Sequence, residues 1–335
     1  MAVNEMNKKP ELIFIPSPGI GHLASSLEYA KLLINTNNNL SITVICIKFP
    51  GIPFADSYIK SALASQPQIQ LIDLPQVELP PQELLKSPEF FILTFMESLI
   101  PHVKATIQTI LSDKVVGLVL DFFCLSMIDV GNELGIPSYL FMTSNVGFLS
   151  LMLSLQNRRI EDVFDDSDPD RQFLIHGFSN LVPSNVLPDA VFNKDGGYVA
   201  YYKFAERFRD TKGIIVNTFS DLEQYSIDAL SNHDEKIPPI YAVGPLLDLK
   251  EQQLNAFRMV KEWGLAVELR VDYRKGSENV VAEEIEKGLK DLMDRDNIVH
   301  KKVQEIKEKA RNAIASGGSS FISVGKFIDN VIGSN

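Results

Sequence analysis

Two residues could do chemistry by type and position, His22 and Asp121. His22 comes after the apolar run Leu12 to Ile15 and the loop Pro16-Ser-Pro-Gly19-Ile-Gly21, where a helical pattern of Leu23, Leu27 and Ala30 begins. An imidazole there can take a proton near neutral pH, although an exposed or helix-capping histidine is the plainer alternative. Asp121 directly follows Val115-Val-Gly-Leu-Val-Leu120, which puts a carboxylate at the end of another core strand, on the same edge of the sheet. Such a carboxylate can accept the imidazole N–H, fix its tautomer and stabilise the imidazolium. Asp also caps a following helix well, and the two roles are compatible.

The elements that must position this pair follow from the spacing of apolar residues. Short continuous apolar runs predict strands over 42–47, 69–74, 115–120, 138–142, 213–217 and 240–243, besides the first at 12–15. Helical spacing predicts helices over 90–111, 127–134, 146–159 and 198–209, with an acidic, polar insert at 161–193. Apolar strands alternating with helices mean an α/β fold, a doubly wound parallel sheet covered on both faces, with ligands at the carboxyl ends of the strands. From Glu251 the pattern becomes mainly helical, over 251–263, 282–293, 298–315 and 320–332, broken at Gly317-Gly318, and only 265–271 could be a strand. Residues 1–250 therefore read as one complete domain, and 251–335 are too few for a second nucleotide-binding half.

Composition narrows the function. Of 335 residues 45% are hydrophobic and 22% charged, as in a soluble globular chain. The net charge of −11 gives no basic face for nucleic acid or an anionic membrane surface. Cys46 and Cys124 lie in separate apolar runs, so neither a disulfide framework nor a zinc site is implied. The N-terminus has no secretory pattern and the longest apolar runs fall short of a bilayer span, so a cytoplasmic protein without a membrane span is expected.

Other motifs carry less. Gly19-Ile-Gly21-His22-Leu-Ala24 fits a loose dinucleotide fingerprint. An NAD site also wants an acidic residue after the next strand, and none lies between Glu28 and Asp56. Asp165-Asp-Ser-Asp168-Pro-Asp170 has the spacing of a metal-binding D-x-D, but a calcium loop begun at Asp166 would need Gly at Arg171 and Glu at Gly177. A solvated acidic loop suits it better.

Phe14-Ile-Pro16-Ser-Pro18-Gly-Ile-Gly21-His22 resembles the opening of plant family-1 UDP-glycosyltransferases, and Leu118-Val-Leu-Asp121-Phe-Phe123 resembles their aspartate-bearing strand. Gly213-Ile-Ile-Val-Asn217-Thr-Phe-Ser-Asp-Leu-Glu223 and Tyr241-Ala-Val-Gly244-Pro245-Leu246 are similar to that family's later landmarks, and the likeness is greatest to the branch acting on flavonoids, isoflavonoids and triterpenes. The resemblance implies the N-terminal half of a GT-B fold, His22 as base for an acceptor hydroxyl and Asp121 as its partner. It implies inverting sugar transfer from UDP-glucose to a phenolic or terpenoid acceptor, with no cofactor, no metal and a monomeric chain. An apolar acceptor pocket would draw on Phe122, Phe123, Phe148 and Tyr202, each of which could equally be core.

The resemblance breaks in the second half. The family holds UDP-sugar with a box that opens with Trp, carries His-Cys-Gly-Trp-Asn-Ser in its middle and closes with an acidic residue and Gln. Here the single tryptophan is Trp263, both cysteines precede residue 125, and the histidines after Asp121 are His176, His233 and His300. Glu251-Gln252-Gln253-Leu254-Asn255-Ala256-Phe257 matches the end of that box, so Lys250 is joined to its last two positions. By resemblance Gly21, Glu251 and Gln252 are the donor-side residues that remain, and most of the sugar-nucleotide-binding half is absent. Without a helix N-terminus and histidine to hold the diphosphate, impaired or absent turnover is expected, with non-catalytic binding of the acceptor as the alternative. The C-terminal helices would then lack a sheet to pack on, exposing Phe257, Val260 and Leu265.

Overall fold

The computed structural model describes residues 9–49, 63, 66–112, 114–161, 163–165, 171–232, 237–246, 253–268, 282–294 and 297–333. Its first part alternates β1 (Glu11–Ile15), α1 (Ile20–Thr36), β2 (Ser41–Cys46), β3 (Ile69–Asp73), α2 (Pro88–Ile110) and β4 (Val115–Asp121). Then come α3 (Ile128–Leu134), β5 (Ser138–Met142), α4 (Val146–Leu155) and a short antiparallel pair, β6 (Gln172–Phe173) and β7 (Val182–Pro183). α5 (Gly197–Glu206), β8 (Ile214–Val216), α6 (Ser220–Ser231) and β9 (Ile240–Ala242) follow.

Seven strands form one sheet in the order β3-β2-β1-β4-β5-β8-β9, every pair parallel. The order reverses between β1 and β4, which opens a crevice beyond their carboxyl ends. Alternation along the strands sends side chains to two cores. Ile13, Ile15, Leu118, Leu120, Leu140 and Met142 meet α2, α3, α4 and α5, whereas Leu12, Phe14, Val119 and Phe141 meet α1. α2 is long and apolar enough to cross a bilayer by length and composition. Its Leu93, Phe95, Met96, Leu99 and Val103 are instead packed into the first of these cores.

Several details differ from the sequence reading. α4 ends at Leu155 rather than Arg159, because the amides of Gln156, Asn157 and Arg158 bond three residues back and tighten the chain into turns. The insert at 161–193 is not merely a polar loop: Phe164, Ile175, Phe178, Val182 and Leu187 are buried in the main core. Of the candidate strand 265–271, residues 265–268 form none and 269–271 lie outside the described residues. Gly264 takes φ +62 and the Leu265 amide bonds back to Met259 O at 2.7 Å, closing the preceding helix instead.

The C-terminal part comprises α7 (Gln253–Phe257) running into a π-helical turn at Arg258–Glu262, then α8 (Ala282–Met293), α9 (Ile298–Ile314) and α10 (Ser319–Gly333). Phe257 is not exposed, as the missing partner sheet led us to expect, but buried in the main core; Val260 and Leu265 are half-buried. α10 lies on the α1 face of the sheet, where Phe327 is fully buried with its ring edge-on to Tyr139 and Tyr241 at 5.1 and 5.4 Å. On α8, Ile285, Leu289, Leu292 and Met293 are exposed among the described residues.

Candidate active site

The loop after β1 turns at Gly19, whose φ of +141 suits only glycine, and delivers His22 into the first turn of α1. Asp121 is the last residue of β4, and Leu120 pairs with Ile15 across the β1–β4 ladder. Both side chains therefore stand at the carboxyl ends of adjacent strands, at the point where the sheet reverses.

His22 Nδ1 lies 2.9 Å from Asp121 Oδ2. The carboxylate is fully buried and the imidazole 31% exposed, so one edge of the ring reaches the crevice. Asp121 Oδ1 accepts hydrogen bonds from the Ser17 hydroxyl and, at 3.2 Å, from the Phe123 amide. The aspartate thus caps the turn after β4 while holding the histidine, the two compatible roles. With the acceptor Oδ2 facing Nδ1, the proton belongs on Nδ1 and Nε2 is left with its lone pair. Burial opposes charge on His22, but the charge of Asp121 and its hydrogen bond outweigh that, and the pKa is raised above the ordinary value.

Phe123 is half-buried and sets its ring edge-on to His22, centroids 5.6 Å apart. Phe122 and Phe148 are 3% and 4% exposed and meet each other at 5.5 Å, inside a cluster with Tyr201, Phe204 and Phe208. Both are therefore packed core residues. Phe123 stands between that core and the imidazole. Tyr202 is half-buried beside Tyr198, away from His22 in the ring contacts it makes. Gly21 is exposed, and a Cβ there would meet no described residue within 4 Å. Glu251 and Gln252 lie outside the described residues, as does the acidic run after Asp165, residues 166–170. Among the described residues no three His, Cys, Asp or Glu side chains gather as metal ligands.

Two features were missed from sequence. Ser17 sits between prolines and carries no spacing signal, yet it fixes the carboxylate. Glu223 carries no signal in the sequence beyond its place in a landmark, but it is 1% exposed and pairs with the buried Arg258. A cavity of about 330 Å³ lies at the far end of α4, lined in part by Ser154, Arg158, Phe173 and His176, and none of the acceptor candidates lines it.

No protein-family model matches the chain. It is 34% identical to UDP-glycosyltransferase 71K2 of Pyrus communis, over 98% of this chain and 99% of that protein. The chain belongs to the plant UDP-glycosyltransferases. It is similar also to flavonol 3-O-glucosyltransferase UGT71C4 of Arabidopsis thaliana, at 30% identity over 96% of this chain and 98% of that one. Its structure superposes on Medicago truncatula UGT71G1 complexed with UDP-glucose with a TM-score of 0.93 and 58% identity, covering 98% of this chain and 100% of that one. The alignment to the pear glycosyltransferase runs over 481 residues against the 335 present here, with both ends matched. That alignment is longer than this chain, so part of the Pyrus communis protein has no counterpart here.

Proposed function

We propose that residues 1–250 are the acceptor-binding half of an inverting, metal-independent UDP-glucose-dependent transferase, and that 251–335 are what remains of the donor-binding half. The carrying observation is the hydrogen-bonded His22–Asp121 pair at the switch point of the sheet. An alcohol is a poor nucleophile at neutral pH, so a base must take its proton as it attacks. Nε2 of His22 accepts the proton of the acceptor hydroxyl. The oxygen forms its bond to the anomeric carbon while the bond from that carbon to the diphosphate oxygen breaks, and UDP leaves with the electron pair. Asp121 stabilises the imidazolium so formed. Flavonols are the acceptor class we favour, on the activity named for the Arabidopsis thaliana relative; a half-buried Phe123 beside His22 supports an aromatic acceptor.

The departing diphosphate needs preorganised donors, and the residues the family uses for that are missing from this sequence. Several charge-assisted hydrogen bonds worth about 1.5–3 kcal/mol each are lost together. The chain accordingly binds the acceptor in the cytoplasm as a monomer and transfers little or no sugar. Calorimetry of the purified chain tests this, with a flavonol and with UDP in separate titrations. Flavonol binding without UDP binding or UDP-glucose consumption is expected. Micromolar UDP binding, or glucoside formation, would refute the loss of function, and absence of flavonol binding would refute the acceptor assignment.

A further inference from the structure

The segment after Gln252 does not merely rest on the first domain; it is pinned to helix α4 by a buried ionic network. Glu223 of α6 accepts the amides of Val146 at 3.0 Å and Gly147 at 3.2 Å, two of the donors that the N-terminus of α4 leaves unpaired. The helix dipole favours an anion there, but a fully buried carboxylate also needs a cation. Arg258, 2% exposed, supplies it: Nη1 pairs with Glu223, Nη2 donates to Ser226 Oγ at 2.8 Å, and Nε donates to Glu262 at 2.6 Å. Glu262 in turn accepts from the Ser179 amide at 3.0 Å. The guanidinium lies between the rings of Phe178 and Trp263, at 5.0 and 4.7 Å. One turn earlier Asn255 accepts at 2.6 Å from Asn145, the residue that caps α4 through the Phe148 amide.

We propose that Arg258 is a positioning residue for the acceptor wall, acting through Glu223 on α4. Phe148 hangs from the first turn of α4 and packs edge-on to Phe122, which packs in turn on Phe123 beside His22. The same short segment continues from Glu251 and Gln252, the donor-side positions of the acceptor reading on which this inference rests. Arg258 thereby ties the segment that follows those positions in sequence to helix α4. Gly147 is part of the fit, since a Cβ there would collide with the Arg258 guanidinium.

R258M and G147A break this clasp from its two sides, and L27A, on α1 at the opposite face of the sheet, serves as a destabilised control. In the full chain, amide hydrogen exchange over 146–155 is measured beside flavonol affinity and the emission of Trp263, the single tryptophan. R258M and G147A are each expected to speed that exchange and weaken flavonol binding by about tenfold, with the double variant no worse than either and L27A doing neither. Unchanged exchange and unchanged Trp263 emission in both clasp variants overturn the proposal. Faster exchange with flavonol affinity unaltered overturns the positioning role. Should the parent chain bind no flavonol while R258M still loosens 146–155, the acceptor reading fails and the clasp on α4 is supported.

Discussion

Asp121 meets His22 through Oδ2, 2.9 Å from Nδ1, while its other oxygen is already engaged by Ser17 and the Phe123 amide. The carboxylate cannot swing away without breaking two further hydrogen bonds, so the imidazole has one partner in one orientation. Replacing it by Asp121→Asn removes the charge that raises the His22 pKa, and the pKa should fall, as read from the imidazole resonances in an NMR titration. The stability consequence has a definite sign. A histidine whose folded pKa is raised contributes fully below the unfolded value of about 6.5, and the contribution fades as pH rises through the folded value. Thermal melts of the parent chain should show that decline on the alkaline side, and those of the variant should show less of it.

A version of the chain carrying the full donor box should turn over, and His22→Ala in that protein should lower transfer by about 100- to 10,000-fold, the range for loss of a general base. UDP binding should be unchanged if His22 serves the acceptor oxygen, as proposed. Since the base must be neutral, transfer in the parent of that pair should rise with pH through the raised His22 pKa. Steady-state kinetics beside UDP calorimetry separate the two effects, and undiminished transfer by the variant would remove His22 from its assigned role.

How far these residues were legible in the sequence differs by kind. His22 and Asp121 were visible because each follows a continuous apolar run, and parallel strands bring their carboxyl ends to one edge. The strands were legible for the same reason: buried on both faces, they read as unbroken apolar stretches. Ser17, Glu223 and Arg258 were not, since the value of a buried polar group lies in partners distant in sequence; Arg258 and Glu223 are 35 residues apart. Phe122 and Phe123 were indistinguishable on paper, being adjacent aromatics after one strand. Only burial separates them.

That separation can be measured. Phe122 touches five aromatic rings and is almost wholly buried, so Phe122→Ala should destabilise the fold by about 3–5 kcal/mol in urea unfolding. Phe123 is half-buried beside His22. Phe123→Leu, which keeps much of the apolar volume, should cost less than about 1.5 kcal/mol while weakening flavonol binding. If the two substitutions affect stability and binding alike, Phe123 is core and the acceptor side lies elsewhere.

The C-terminal helices offer the last contrast, because α10 packs on the sheet of the first domain while α8 leaves apolar side chains exposed. Phe327 on α10 is fully buried among Tyr29, Tyr139 and Tyr241, and two hydrogen bonds fasten the helix beside it, Tyr139 Oη to Asn330 at 3.1 Å and Ser320 Oγ to Gly244 O at 2.5 Å. Truncating so large a buried ring leaves a cavity that the surrounding tyrosines can fill only in part, so Phe327→Ala should cost about 3–5 kcal/mol. Met293 at the end of α8 is 77% exposed, and Met293→Ser should stay within about 0.5 kcal/mol. Urea midpoints of the two variants decide whether α10 is an integral layer of the first domain. Equal, small effects would mean that the sheet is stable without it and that the whole C-terminal part is an appendage.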